Sequence, residues 1–301
     1  MARVDLLRKA ASYSAEEYNA TLQKLRGFLD SAEPRLVYFL TNLWGAQGKA
    51  ITYKELREAI LAGAISMEYL EEWQQDYNRF VLTNLLPAWE EAMKAATDDL
   101  ATKYRGWYYN PASSGVENWV KTRAADFVTS VTQTQHDALR AVVERASKYE
   151  GRNVDSLART VRSMVGLTSQ QAEANLNYYE NLINNGVKEK RAQDLAMRYA
   201  ARQHRYRGYN IARTELAYAY NKGMDEGVRQ AQADGYMGTT VKIWCTADDE
   251  RVCQTCGGLE GKVIAMDDDF EFSTRLNLPG IKRIPPAHPG CRCAAMYREV
   301  D

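Results

Sequence analysis

The run Val228-Arg-Gln-Ala-Gln-Ala-Asp-Gly-Tyr-Met-Gly-Thr-Thr-Val-Lys-Ile-Trp-Cys245 is where this chain changes character. Arg229 to Ala233 are good helix formers. Gly235 and Gly238 then punctuate it. Beyond them Val241, Ile243 and Cys245 alternate with Lys242 and Trp244, the period-two pattern of a short strand. The break therefore falls near Asp234–Thr240. All five cysteines and four of the seven prolines (Pro279, Pro285, Pro286 and Pro289) lie after it.

Upstream, the chain reads as helix after helix. The stretch from Val187 to about Ala233 is rich in Ala, Arg, Tyr and Glu. Before it, Thr168 and Gln171 have the spacing of a capping box opening a helix through Leu176, Leu182 and Ile183 to Gly186. Leu157, Val161 and Met164 mark a shorter helix ended by Gly166. Ser114 and Glu117 repeat the capping-box spacing, and Val120, Ala124, Phe127 and Val131 continue at helical intervals toward a stop at Gly151. Trp73, Tyr77, Phe80 and Val81 share one helix face. The expected fold is mainly α: a long helical N-terminal body, then a small α+β, loop-rich C-terminal module. Gly257-Gly258 and Gly261 supply turns in that module.

Composition narrows the function. With 301 residues, the length allows two domains. Hydrophobic residues are 45% and charged residues 26%, ordinary for a globular chain. Lys plus Arg and Asp plus Glu are 39 each, so no global field attracts nucleic acid or membrane, and any such case must rest on a local patch. Met1 to Leu29 mixes charges with apolar residues and does not read as a signal peptide. No stretch approaches the ~18 apolar residues of a membrane span. These features point to the cytosolic side, where clustered cysteines are more often metal ligands or catalysts than disulfides.

Cys253-Gln-Thr-Cys256 and His288-Pro-Gly-Cys-Arg-Cys293 carry the chemistry. Two thiolates two residues apart reach one tetrahedral ion from a tight turn, and a second pair further on closes the set. Sulfur with one imidazole favours zinc over magnesium or calcium. Four of the five donors Cys253, Cys256, His288, Cys291 and Cys293 are expected to serve. A closed set leaves no place for substrate, so the zinc is expected to be structural, stapling a module with a small core. Buried thiols without metal, or a disulfide, are the alternatives. Cys245 reads as an ordinary strand residue, and His136 and His204 as surface or packing residues. Asp248, Asp249 and Glu250 read as a solvated turn. GxSxG, a phosphate-cradling glycine loop and HExxH are all missing, and the chain is not expected to be an enzyme.

One local patch does stand out. Lys188, Lys190, Arg191, Arg198, Arg202, Arg205, Arg207 and Arg213 face only Glu189 and Asp194 in the same stretch, with Tyr199, Tyr206 and Tyr209 interleaved. Arginine beside aromatics can hold phosphates and stack on bases. A solvated helix face, or arginines paired with acids of neighbouring helices, is the bland reading.

Asp249-Glu-Arg-Val-Cys-Gln-Thr-Cys256, then Leu259 and Gly261, then Pro286-Ala-His-Pro-Gly-Cys-Arg-Cys293, resembles the signature of the phage Mu F-like head morphogenesis family. Ile211-Ala-Arg-Thr-Glu215 and Tyr220-Asn-Lys-Gly223 resemble the helical segment that precedes it. The resemblance covers about Arg198 to Cys293 and implies a division into a variable helical region, 1–190, and a head-morphogenesis domain, 191–301. Within the latter, 191–234 is helical and 235–301 is the zinc module. It implies a structural minor head protein of a tailed phage or prophage, associated with the portal and taken into the procapsid. Portal, major capsid and scaffold proteins are the implied partners, with packaged DNA a further one. The implied location is the virion head or procapsid, and the host cytoplasm during assembly. A zinc-stabilised nucleic-acid-binding protein acting on phage DNA is the alternative reading. Five tryptophans upstream of the break, Trp44, Trp73, Trp89, Trp107 and Trp119, are expected to be core or interface residues.

Overall fold

A computed structural model describes residues 13–148, 153–247, 249–273 and 279–300. Eight helices account for most of the described chain: α1 (Ala15–Ala50), α2 (Tyr53–Ala62), α3 (Glu68–Phe80), α4 (Leu86–Lys103), α5 (Ser114–Ser147), α6 (Val154–Arg162), α7 (Ser169–Asn184) and α8 (Glu189–Ala233). A π-helical turn, Val81–Leu85, joins α3 to α4. Five strands follow, β1 (Thr240–Cys245), β2 (Val263–Ala265), β3 (Phe270–Ser273), β4 (Pro279–Lys282) and β5 (Ala294–Glu299), with a one-turn helix at Gln254–Gly257 between β1 and β2. The mainly helical chain with a small antiparallel sheet near its C-terminus matches the sequence expectation.

Capping fixes several helix starts. Ser14 and Glu17 exchange hydrogen bonds ahead of α1, at 3.1 and 2.9 Å. Thr168 and Gln171 form the expected capping box of α7. At α5 the expected cap is displaced by one residue. Ser114 is already helical, and Ser113 Oγ accepts the Val116 N–H. The residues behind α6 also correct the sequence reading. That helix ends at Arg162, and Gly166, at φ +92°, sits in the turn beyond it. There a Cβ would fall 2.3 Å from the Trp44 ring, so glycine is required sterically as well as conformationally. Gly151 lies outside the described residues.

Contacts group the chain into two compact units, neither of them continuous. One comprises Met1–Pro34, Leu86–Val120 and Asn210–Asp301, and the other Arg35–Leu85 and Lys121–Tyr209. In the second unit, Trp73, Tyr77, Phe80 and Val81 are all buried, as their shared face predicts. A buried polar chain runs through it. Trp44 Nε1 donates to Tyr77 Oη (2.7 Å) and Tyr77 donates to Gln135 Oε1 (2.6 Å). Gln135 Nε2 donates in turn to Gln47 Oε1 (3.0 Å). Each member satisfies the next, which is what buried polar groups require.

In the first unit, the second half of α8 is the scaffold. Gly223 meets α4 so closely that a Cβ would stand 2.3 Å from Met93 Cα. Phe28 packs on Tyr220 (5.6 Å), and Trp119 bridges Trp89 and Tyr218 (5.2 and 5.3 Å). The sheet order is β2-β1-β5, all antiparallel, with Ile243 opposite both Val263 and Met296. Central β1 is buried along its whole length. Even Lys242 is enclosed. Its ammonium donates to the carbonyls of Asp268 (2.8 Å) and Arg283 (3.0 Å), and burial pushes its pKa down to about 8. Trp44, Trp73, Trp89 and Trp107 are core residues and Trp119 is half-buried, so four of the five are not interface anchors.

Candidate metal centre

Cys253 is the N-cap of the one-turn helix, with extended backbone (φ −75°, ψ 159°). Its Sγ accepts the Cys256 N–H at 3.4 Å, and its carbonyl accepts from Gly257 at 2.9 Å. This tight turn is what two-residue spacing buys: both sulfurs face the same side. The second arm is a loop in which Cys291 N–H donates to the His288 carbonyl at 3.2 Å, with Gly290 at φ +72° between them.

The two arms meet. His288 Nε2 stands 3.1 Å from Cys253 Sγ and 3.2 Å from Cys256 Sγ, and Cys256 Sγ stands 3.7 Å from Cys291 Sγ. Donor atoms of Cys253, Cys256 and His288 lie within 4.8 Å of one another, as do those of Cys256, Cys291 and Cys293. A cavity of about 30 Å³ lies among them. Sulfur and imidazole bound to one tetrahedral zinc stand roughly 3.6 Å apart, and two sulfurs roughly 3.8 Å. The donor set and its spacing therefore fit a metal ion of that kind. Cys245 is buried in β1, its thiol pushed up to about 12 by burial, and it takes no part.

Electrostatics prepare the site. His288 Nδ1 donates to the Pro289 carbonyl at 2.9 Å, leaving the Nε2 lone pair toward the sulfurs. Burial would lower the His288 pKa, but that carbonyl and the nearby thiol charges of Cys291 and Cys253 raise it. For Cys253 burial opposes ionisation, and the Cys256 N–H together with His288 outweighs it, so the thiol is lowered. Hydrogen bonds from Cys256 and then Cys293 hold Cys291 low, while Cys256 is pushed up.

Residues singled out only as family motif or as turn prove to be the supports. Gly290 N–H donates to Thr214 Oγ1 of α8 at 2.9 Å. Asn221, fully buried, accepts from Ala295 N–H at 2.8 Å and donates to the carbonyls of Ala217 (2.8 Å) and Cys293 (3.4 Å). Arg292, between the two last cysteines, makes a two-pronged ion pair with Asp249, 2.6 Å at each prong. Asp249 is thus a clasp between the arms and not a solvated turn residue. Asp248 lies outside the described residues. The signal was present in the sequence, as a Thr and an Asn on one helix and an Asp–Arg pair flanking the cysteines, but spacing alone does not reveal a contact.

The basic stretch divides. Lys188, just before α8, and Lys190, Arg191, Arg198, Arg202 and Arg205 on it are exposed. Arg207 is buried against Trp44 and donates to the Gly166 carbonyl. Arg213 pairs with Glu33 at 2.7 and 2.8 Å. These two leave the proposed patch. His136 and His204 pack as expected, and His204 Nε2 bonds the Val165 carbonyl at 2.8 Å.

Compared with known families, residues 137–296 match the model described as phage Mu protein F like protein. The match runs from within α5 into β5 and spans both arms of the cluster together with the helix that holds them. No curated protein and no solved structure matches the chain.

Proposed function

The chain belongs to the phage Mu F-like head morphogenesis family, and on that premise we propose that it is a structural minor head protein of a tailed phage or prophage, docked on the portal and taken into the procapsid during assembly. Membership ties it to a structural role in the phage head. The observation that carries the finer reading is the span of the match, which includes the Cys/His cluster and its supporting helix as one piece. No described helix is long and apolar enough to cross a membrane.

The cluster, in this reading, holds one zinc through Cys253, Cys256, His288 and Cys291. Cys291 is the fourth ligand because its sulfur stands beside that of Cys256 and its backbone is tied to His288. Bound zinc supplies a crosslink between the two arms, beside the apolar cluster in which Cys256 and Leu259 of one and Cys291 and Cys293 of the other pack with Trp244 and Phe270. Four protein donors leave no open coordination position, which favours a structural site over a catalytic one. Elemental analysis of the purified protein is expected to give one zinc per chain. Cys291→Ser is expected to lose it and Cys293→Ser to keep it. Zinc retained by the first variant and lost by the second would exchange their roles.

Portal docking is tested by co-expression with the portal protein alone. The chain is expected to sediment with the portal oligomer. A chain that stays at the top of the gradient while the portal assembles would refute docking.

A further inference from the structure

We propose that the pocket between the first half of α1 and the loops carrying Arg251 and Arg292 binds a carboxylate borne on an apolar body. This goes beyond the head-protein reading and stands or falls apart from it, because failure here leaves co-sedimentation with the portal unchanged. The cavity measures about 300 Å³, at the small end of ligand pockets. All of it lies within the unit formed by Met1–Pro34, Leu86–Val120 and Asn210–Asp301.

Its wall has two kinds of surface. Leu22, Leu25 and Leu29 recur at helical intervals on α1 and, with Ala247 just after β1, supply the apolar part. Arg26, Asp30, Arg213, Arg251 and Arg292 supply the rest.

Two of these arginines are fixed before any ligand arrives. Arg213 gives Nε and Nη2 to Glu33 at 2.7 and 2.8 Å, and Arg292 gives Nη1 and Nη2 to Asp249 at 2.6 Å each. A guanidinium carries five N–H groups, so each keeps donors for a second acceptor. The other two arginines are less committed. Arg251 is exposed and reaches Asp249 with one nitrogen at 3.3 Å. Arg26 is exposed on α1 and pairs with no carboxylate among the described residues.

Charge decides the class of ligand. Four arginines meet three carboxylates, those of Asp30, Glu33 and Asp249, which leaves one positive charge over. That balance suits a single negative charge better than the two of a phosphomonoester. A planar carboxylate also matches the guanidinium fork, taking two parallel N–H bonds from it. The leucines favour an apolar group beside that charge, which a hydrated inorganic anion lacks. The Glu33 bond holds Arg213 charged against burial, and the nearby charge of Arg292 opposes it. An anion bound beside both relieves that opposition. Such a carboxylate has two sources, the C-terminus of a polypeptide that ends in an apolar residue and a free aliphatic acid.

The test is a ligand-observed NMR titration of full-length protein with N-acetyl-leucine, expected to bind with a Kd of about 1 mM or tighter for a ligand of this size. N-acetyl-leucinamide has the same shape without the charge and is expected to bind at least about tenfold more weakly. Arg26→Gln with Arg251→Gln is expected to weaken the acid by a similar factor. Ala247→Leu fills the space while leaving every charge in place, and is expected to remove binding. These positions are exposed or half-buried, so circular dichroism and metal content should match those of the parent. A Gly-Ser-Gly-Leu peptide with a free C-terminus that binds more tightly than hexanoate assigns the site to a polypeptide end; hexanoate that binds as well as the peptide assigns it to a free aliphatic acid. Four results would each overturn the proposal: no binding of N-acetyl-leucine or hexanoate at about 10 mM, an amide that binds like the acid, variants that bind like the parent, or inorganic phosphate that competes as well as hexanoate.

Discussion

Asp249 and Arg292 connect the two cysteine arms without touching the candidate ion, and their chemistry sets a limit on what pH can do. Arg292, then the Arg251 backbone, holds the Asp249 carboxyl well below the usual carboxylate range. A carboxyl lowered in the folded chain contributes fully above its unfolded pKa of about 3.9 and loses that contribution only as pH falls through the lower folded value. The clasp therefore survives conditions in which protons already compete for thiolate and imidazole ligands. Asp249→Asn is expected to weaken metal retention about tenfold in a chelator competition, typical of losing a residue that orients ligands. The deficit should be the same at pH 7 and at pH 5. A deficit that disappears between those values would mean that the carboxyl titrates in that range and is not held by Arg292.

At the scale of elements, the buried Asn221 amide ties α8 to β5, beside Asp225, which accepts from Tyr297 Oη at 3.2 Å. Asn221 satisfies the Ala295 N–H and reaches the Cys293 carbonyl, so β5 and the last cysteine are placed by the helix. Asn221→Ala leaves those groups buried and unpaired at a cost of about 2 kcal/mol. A fall in Tm of roughly 5 °C is expected, along with a metal content that declines on dialysis while Cys253 and Cys256 stay intact. An unchanged Tm would mean that water or a shifted strand replaces the amide. This is the kind of contact a linear reading misses. Alternation over Val241–Cys245 and the run to Ala233 reveal that a strand follows a helix, because periodicity is local. The CxxC and HxxCxC arms reveal a shared ion, because metal geometry is stereotyped. Thr214 and Asn221 stand out only as motif, since a Thr and an Asn in a helix usually bond locally or face water. Ser113 took the cap expected of Ser114 because both hydroxyls fit and the turn at Asn110–Ser113 decides between them. Arg207 and Arg213 fell out of the basic patch because their partners, the Gly166 carbonyl and Glu33, are distant in sequence.

For the whole molecule, the consequence of losing the metal depends on what the module near the C-terminus packs against. From the sequence, a break near residue 235 suggests a module that would unfold by itself. The structure puts residues 210–301 in one compact unit with Met1–Pro34 and Leu86–Val120. Met237 and Met266 share a core cluster with Leu100, Trp107, Val228 and Ala231, and Tyr18 exchanges hydrogen bonds with Thr246. Apolar groups of that cluster lose their cover if the strands and loops come away, so the disturbance must spread into the helices that share it. Residues 35–85 and 121–209 have their own core, with Trp44, Tyr77 and Gln135 tied together inside it. Cys253→Ser is therefore expected to raise hydrogen exchange in β1, β2 and β5, in the second half of α8, in α4 and in the first half of α1. Protection in α6, α7 and the first half of α8 should stay near that of the parent chain. The decisive segment is 210–233. If exchange rises only beyond residue 235 and this segment keeps its protection, the metal stabilises a local module. If protection falls evenly from α1 to β5, the two units unfold as one and the division by contacts has no energetic counterpart.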